Sequence, residues 1–176
     1  MPGIDDTRPF VPLRIAVLTL SDRRTLATDT SGQLLVDRLT GAGHELVARK
    51  LLPDDPAALE AQLRAWIADP GVEVVITTGG TGVTGRDNTP EVIEKVSEKL
   101  ITGFGELFRW LSYANVGTST IQSRATAGVA NGTYLFALPG SNGAVKDGWD
   151  QILVHQLDIR HRPCNFAELI PRLKER

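Results

Sequence analysis

Apolar residues along the chain fall into short blocks separated by polar segments rich in glycine, proline and aspartate. RIAVLTL at 14–20 and VEVVITT at 72–78 are nearly unbroken apolar runs with many β-branched residues and no 3.6-residue period. That pattern predicts strands covered on both faces, as in a parallel sheet. HELVARKLL at 44–52 reads as a further strand between them. Segments 123–129 and 133–138 read as two more, joined at Asn131-Gly132, the commonest two-residue hairpin turn. Helical spacing fills the gaps. Asp29 or Thr30 caps a helix to about residue 41 with Leu34, Leu35 and Leu39 inward, and Asp55 caps another, with Pro56 at its first position and Leu59, Leu63, Trp66 and Ile67 on one face. Thr89 and Pro90 open a third, running to about residue 100 with Val92, Ile93 and Val96 inward. A fourth pattern follows Gly103, and 144–157 places Val145, Trp149, Ile152, Leu153 and Leu157 on one stripe. The alternation predicts a three-layer α/β/α domain on a mostly parallel sheet with one antiparallel strand pair, spanning 13–166, between a mobile N-terminal arm at 1–12 and a solvated C-terminal tail at 167–176.

Composition narrows the class. At 176 residues the chain fits one domain, and its 41% hydrophobic and 23% charged content is ordinary for a globular protein. A net charge of −2 predicts no broad field for nucleic acid. The single cysteine, Cys164, excludes an intrachain disulfide, and no apolar segment is long enough to cross a membrane or serve as a signal core, so a reducing cytoplasm is the expected location.

Candidate chemistry gathers at the ends of the predicted strands. The run 72–78 opens into a loop holding Gly79, Gly80, Gly82 and Gly85 with Thr78, Thr81 and Thr84, and closes at Asp87. Glycines let backbone N–H groups approach an anion, and loops beyond the carboxyl ends of parallel strands are where such folds bind ligands. The loop is not a P-loop, having no Lys-Ser/Thr pair. Gly80, Gly82 and Gly85 match the spacing of a dinucleotide fingerprint but lack its acidic partner. Ser21-Asp22 follows the first strand, Asp54 the second, and Pro139-Gly140-Ser141-Asn142 the last, where Ser141 or Asn142 reads equally well as a helix cap. Carboxylates among phosphate-binding amides imply Mg²⁺ or a proton-carrying step, as phosphoryl or nucleotidyl transfer requires. No histidine stands at a strand-end loop to serve a triad.

TTGGTG with Asp87 and Thr89-Pro90-Glu91, together with Pro53-Asp54, Gly103-Phe104-Gly105-Glu106, Ser123-Arg124 and Leu138-Pro139-Gly140, resembles the MoaB/MogA family of molybdenum-cofactor biosynthesis proteins. GTSTIQSRATAGVANG at 117–132 and RPCNF at 162–166 are similar to its bacterial MoaB branch. The resemblance implies a molybdopterin-binding domain assembling as a trimer or hexamer, with other proteins of the pathway as further partners. It also implies Mg²⁺- and ATP-dependent adenylylation of molybdopterin. On the same basis Asp54 and Asp87 are the catalytic pair and the Mg²⁺ ligands, Thr78, Gly79, Gly80, Thr81 and Gly82 cradle phosphate, Glu106 supports the site, and Pro139, Gly140, Ser141 and Asn142 take the nucleotide or pterin end, with Ser21, Asp22 and Ser123 as further substrate contacts. A second reading of the resemblance is a paralogue that holds molybdopterin without chemistry.

Overall fold

The computed structural model describes residues 1–175. In chain order it contains β1 (Gly3–Ile4), β2 (Arg14–Leu20), α1 (Thr30–Gly41), β3 (Glu45–Leu52), α2 (Pro56–Ala68), β4 (Val74–Thr78), α3 (Thr89–Val96) and β5 (Lys99–Leu100). There follow α4 (Thr102–Val116), a 3₁₀ segment (Gly117–Gln122), β6 (Thr126–Ala130), β7 (Thr133–Leu138), α5 (Asn142–Gly148), β8 (His161–Arg162) and a last 3₁₀ segment (Ala167–Arg172). Helix α5 continues through a wide π turn at Trp149–Leu153 into Val154–Gln156.

The main sheet has the order β3-β2-β4-β7-β6-β5. Strands β3, β2, β4 and β7 are parallel, while β6 is antiparallel to β7 and β5 to β6. Alternation along each strand divides the core between two faces. Ile15, Val17, Val74, Ile76 and Phe136 pack with Leu35 and Leu39 of α1, Phe104 and Phe108 of α4, and Val145 and Trp149. Ala16, Leu18, Val75, Leu135 and Ala137 pack with Leu59, Leu63 and Trp66 of α2 and Val92, Ile93 and Val96 of α3. A strand with helices on both sides needs apolar residues at every position, which explains the unbroken runs.

Strand β2 has β3 on one side and β4 on the other, so the chain reverses its direction of travel across the sheet between β2 and β4. The loops after these two strands diverge at a topological switch point, where parallel sheets form ligand crevices.

The expected antiparallel pair is present, turning at Asn131 (φ 48°) and Gly132 (φ 81°), both left-handed as a type I′ turn requires. Several expectations differ from the structure. Helix α3 ends at Val96, and Lys99–Leu100, expected within it, pairs with Val129 and Gly128 as a second antiparallel strand. Strand β6 starts at Thr126 rather than at Ser123. Residues 1–12, expected to be a mobile arm, are held at several points: Gly3 and Ile4 pair with Arg162 and His161, Arg8 bridges to Glu168 at 3.1 Å, and Phe10 lies 5.1 Å from the His44 ring. The tail, expected to be solvated, buries Ala167 and lays Ile170 and Leu173 against the core; residue 176 lies outside the described residues. The C-terminal segment thereby covers an apolar edge of the core.

Candidate functional site

Strand β4 delivers its loop to the switch point with buried Thr77 and Thr78. Gly79 has φ 107°, and a Cβ there would lie 2.4 Å from the Leu20 carbonyl oxygen, so only glycine lets this loop pass so close to the end of β2. Gly79 N–H donates to Leu138 O at 3.0 Å and Thr78 Oγ1 to Pro139 O at 3.0 Å, which docks the first glycine loop on the second. Thr89 does not cap α3; it is the first helical residue, and its hydroxyl donates to Gly79 O at 3.0 Å, so the helix start braces the loop instead. The N–H groups of Gly80 and Thr81 meet no backbone acceptor among the described residues. They are the donors left for an anion.

The predicted acidic residues come together around this loop. Asp54 N–H donates to Asp22 Oδ1 at 3.0 Å, and Asp22 is paired with Arg86. A Cβ at Gly80 would stand 3.7 Å from Asp54 Oδ1, and one at Gly82 would stand 2.7 Å from Asp87 Oδ2, so each carboxylate approaches the loop where a glycine makes room. Burial pushes the Asp54 carboxyl above its ordinary range, and the negative charges of Asp22 and Asp87 add to this against the opposing pull of Arg86. For Asp87 burial also acts upward, but it is outweighed by the hydroxyl and amide of Thr84, at 2.7 and 2.9 Å from Oδ2, the Gly82 amide and the charge of Arg124, so its carboxyl is held below the usual range. One acid destabilised as an anion thus stands near another stabilised as one.

Arg124, quoted above only as part of a motif, organises this corner. Its backbone N–H donates to Thr81 O at 2.9 Å, its Nε to Gly82 O at 2.7 Å and its Nη2 to Asp87 O at 2.5 Å, while Nη1 pairs with Glu91. Arg24 performs a similar service at the second loop, donating to Gly140 O at 3.2 Å and to Ser31 Oγ at 2.6 Å.

The remaining candidates are distributed less tightly. Ser21 Oγ accepts the N–H groups of Arg23 and Arg24 at 3.2 and 3.1 Å, and so shapes its own turn. Ser141 caps α5 through Ala144 N–H at 3.1 Å. It also lines a cavity of about 450 Å³ with Ser123, Pro139, Phe108, Lys146 and Asp147, large enough for a small organic ligand. Asn142 turns away from this cavity, accepting from Thr30 Oγ1 at 3.1 Å. Glu106 lies in the second turn of α4, which starts at Thr102; it is exposed and joins no hydrogen bond to the other candidates among the described residues. The acidic corner and the cavity flank the two docked glycine loops, since Thr78 and Gly79 contact Pro139 and Leu138 on one side while Gly80 and Gly82 meet the carboxylates on the other.

Mg²⁺ is the cation that the family resemblance implies. Among the described residues no three His, Cys, Asp or Glu side chains converge as a metal cage. Asp54 is nevertheless a carboxylate whose charge is disfavoured by burial and by two like neighbours, a condition a cation relieves. Mg²⁺ is commonly held by one or two carboxylates plus substrate phosphates, so the donor set fits Mg²⁺ arriving with a phosphorylated ligand.

A switch-point crevice with free amides, a neighbouring cavity and flanking carboxylates defines a class: an α/β protein with a ligand crevice suited to a small molecule. The comparisons make the family specific. Residues 16–159 match the family model described as "Probable molybdopterin binding domain". The chain is 49% identical over 166 residues, 94% of its length and 96% of the relative's, to molybdenum cofactor biosynthesis protein B of Escherichia coli K12. It is 42% identical over 146 residues, 82% of its length and 86% of the relative's, to the protein of that name from Bacillus subtilis 168. A crystal structure of a molybdenum cofactor biosynthesis protein B superposes with TM-score 0.86 at 35% identity, covering 96% of this chain and 100% of that one. The tungsten cofactor synthesizing protein MoaB of Pyrococcus furiosus superposes with TM-score 0.77 at 35% identity, covering 93% and 98%. The chain belongs to the MoaB/MogA family of molybdenum-cofactor biosynthesis proteins, on its MoaB side.

Proposed function

We propose that the protein adenylylates molybdopterin with ATP in molybdenum-cofactor biosynthesis. An oxygen of the pterin's terminal phosphate attacks the α-phosphorus of ATP, the bond from that phosphorus to the bridging oxygen breaks, and pyrophosphate leaves with the bond's electron pair. The observation that carries this reading is the placing of Asp54 and Asp87 against one loop whose Gly80 and Thr81 amides are free.

In this reading the Gly80 and Thr81 N–H groups hold a phosphate at the switch point, and the cavity beside Ser123, Pro139 and Ser141 takes a ring system. Asp87, kept ionised by Thr84, and Asp54 face the reacting phosphates and would be the side chains that hold Mg²⁺. When bound, Mg²⁺ held by these carboxylates and the phosphate oxygens supplies positive charge against the charge gathered in transfer. Positioning and neutralisation account for most of what such a reaction needs. We further propose a cytoplasmic homo-oligomer, a trimer or a pair of trimers, that passes its product to other proteins of the pathway. Among the described residues no helix is long and apolar enough to cross a membrane.

The test is pyrophosphate release from ATP in the presence of Mg²⁺ and intact molybdopterin. Turnover is expected for the wild type, and Asp87→Asn is expected to cut it by about a hundredfold or more, the scale of losing a transition-state electrostatic group, without changing the assembly. No pyrophosphate from the wild type, or full turnover in the variant, refutes the assignment.

A further inference from the structure

Four guanidinium groups contact the residues of the site, and three are committed: Arg109 donates to Ser123 O at 3.4 Å and to Ala125 O at 3.2 Å. Arg124 is spread over Gly82 O, Asp87 O and Glu91, and Arg24 over Ser31, Gly140 O and, at 3.8 Å, Asp29. Arg86 differs: its one ion-pair partner is the exposed Asp22, and its own side chain is 68% exposed. It nevertheless faces the acidic corner, because it lines the small cleft that holds Asp54, Asn88 and Thr89, and its charge acts on Asp54. Asp87 is fixed separately, through Thr84 and Arg124. The exposed Arg86 side chain can therefore change partner without disturbing Asp87.

We propose that Arg86 is an exchangeable counter-ion: in the free protein its guanidinium neutralises Asp22 and faces Asp54, it yields that place to a divalent cation, and it then binds the polyphosphate of the incoming nucleotide. The inference rests on the adenylyltransferase reading and adds a residue to it. The exchange is easy because an exposed ion pair contributes little to stability. It is directional because a guanidinium offers a planar pair of donors that fits phosphate as well as carboxylate. Arg86 thus keeps the three carboxylates from repelling one another before the ligand arrives, and afterwards offsets the charge of the leaving pyrophosphate.

Calorimetry with two probes tests this on the full chain. Arg86→Ala is expected to bind Mn²⁺ alone about three- to fivefold more tightly, the change that removing one exposed competing ion pair allows. It is expected to bind Mg²⁺-pyrophosphate at least about tenfold more weakly, through loss of a charge-assisted bond. Arg86→Lys should restore part of the pyrophosphate affinity, and circular dichroism should show an unchanged fold, since the side chain is exposed. Opposite movement of the two affinities supports the proposal. Movement in the same direction, or no movement, overturns it while leaving the adenylyltransferase reading intact. A wild type that binds neither Mg²⁺-pyrophosphate nor Mg²⁺-ATP overturns both.

Discussion

At the scale of single residues, Asp54 carries a cost that its function explains. Burial and the charges of Asp22 and Asp87 make its proton harder to lose in the folded protein than in the unfolded chain. The folded carboxyl therefore lies above its unfolded value, so the anion reduces stability above that raised value, and the penalty fades as pH falls through it. Asp54→Asn is expected to raise Tm near neutral pH, with the gain shrinking in acid, while turnover is lost; scanning calorimetry across pH checks this, and a lower Tm at neutral pH would contradict it. Asp54 was legible in the sequence by pattern, because it stands just past the end of β3, whereas Asp87 closes a loop nine residues beyond β4 and is paired with Asp54 through the family resemblance. The work of Arg124 was not legible, since its partners Gly82 and Asp87 are 42 and 37 residues away and are reached only when β6 returns beside the glycine loop. Glu106 illustrates the converse, a residue assigned by resemblance that the helix leaves on an exposed face.

At the scale of elements, the unit from β4 through its loop to α3 fixes the site, and its glycines are unequal. Gly79→Ala forces a side chain into φ 107° and to 2.4 Å from Leu20 O. The expected loss is about 2 kcal/mol or more. Gly85→Ala, with nothing within 4 Å of its Cβ and no left-handed backbone, should stay within about 1 kcal/mol of wild type. Urea denaturation of the two variants checks the contrast, and equal losses would mean that the approach to Leu20 does not constrain the loop. The long buried strands and the amphipathic helices were readable because their periodicity spans many residues. Lys99–Leu100 was not: two residues show no period, and their strand exists only through pairing with β6. The N-terminal segment was misread for a similar reason, because its proline-rich composition gives no sign that Phe10 covers His44 or that Arg160 lies 5.2 Å over the Phe10 ring.

At the scale of the whole molecule, Trp110 (74% exposed), Tyr113, Val116 and Ile121 (81% exposed) leave apolar surface along α4 and the segment after it. Aromatic residues exposed on one element suit a contact between copies better than open water. Trp110→Glu is expected to shift the protein from the proposed trimer or hexamer to smaller species in light scattering; unchanged mass would move the interface elsewhere. The loops after β2, β3, β4 and β7 follow parallel strands, so the fold itself brings Asp22, Asp54, the glycine loop and Pro139-Gly140 to one edge of the sheet, and what that edge does is decided by whether AMP is transferred there. Incubation with Mg²⁺, molybdopterin and ATP labelled at the α-phosphorus tests that most directly. The label is expected on the pterin, with release of pyrophosphate, in the wild type and not in Asp87→Asn. Intact pterin that binds the protein but never acquires the label would contradict the account.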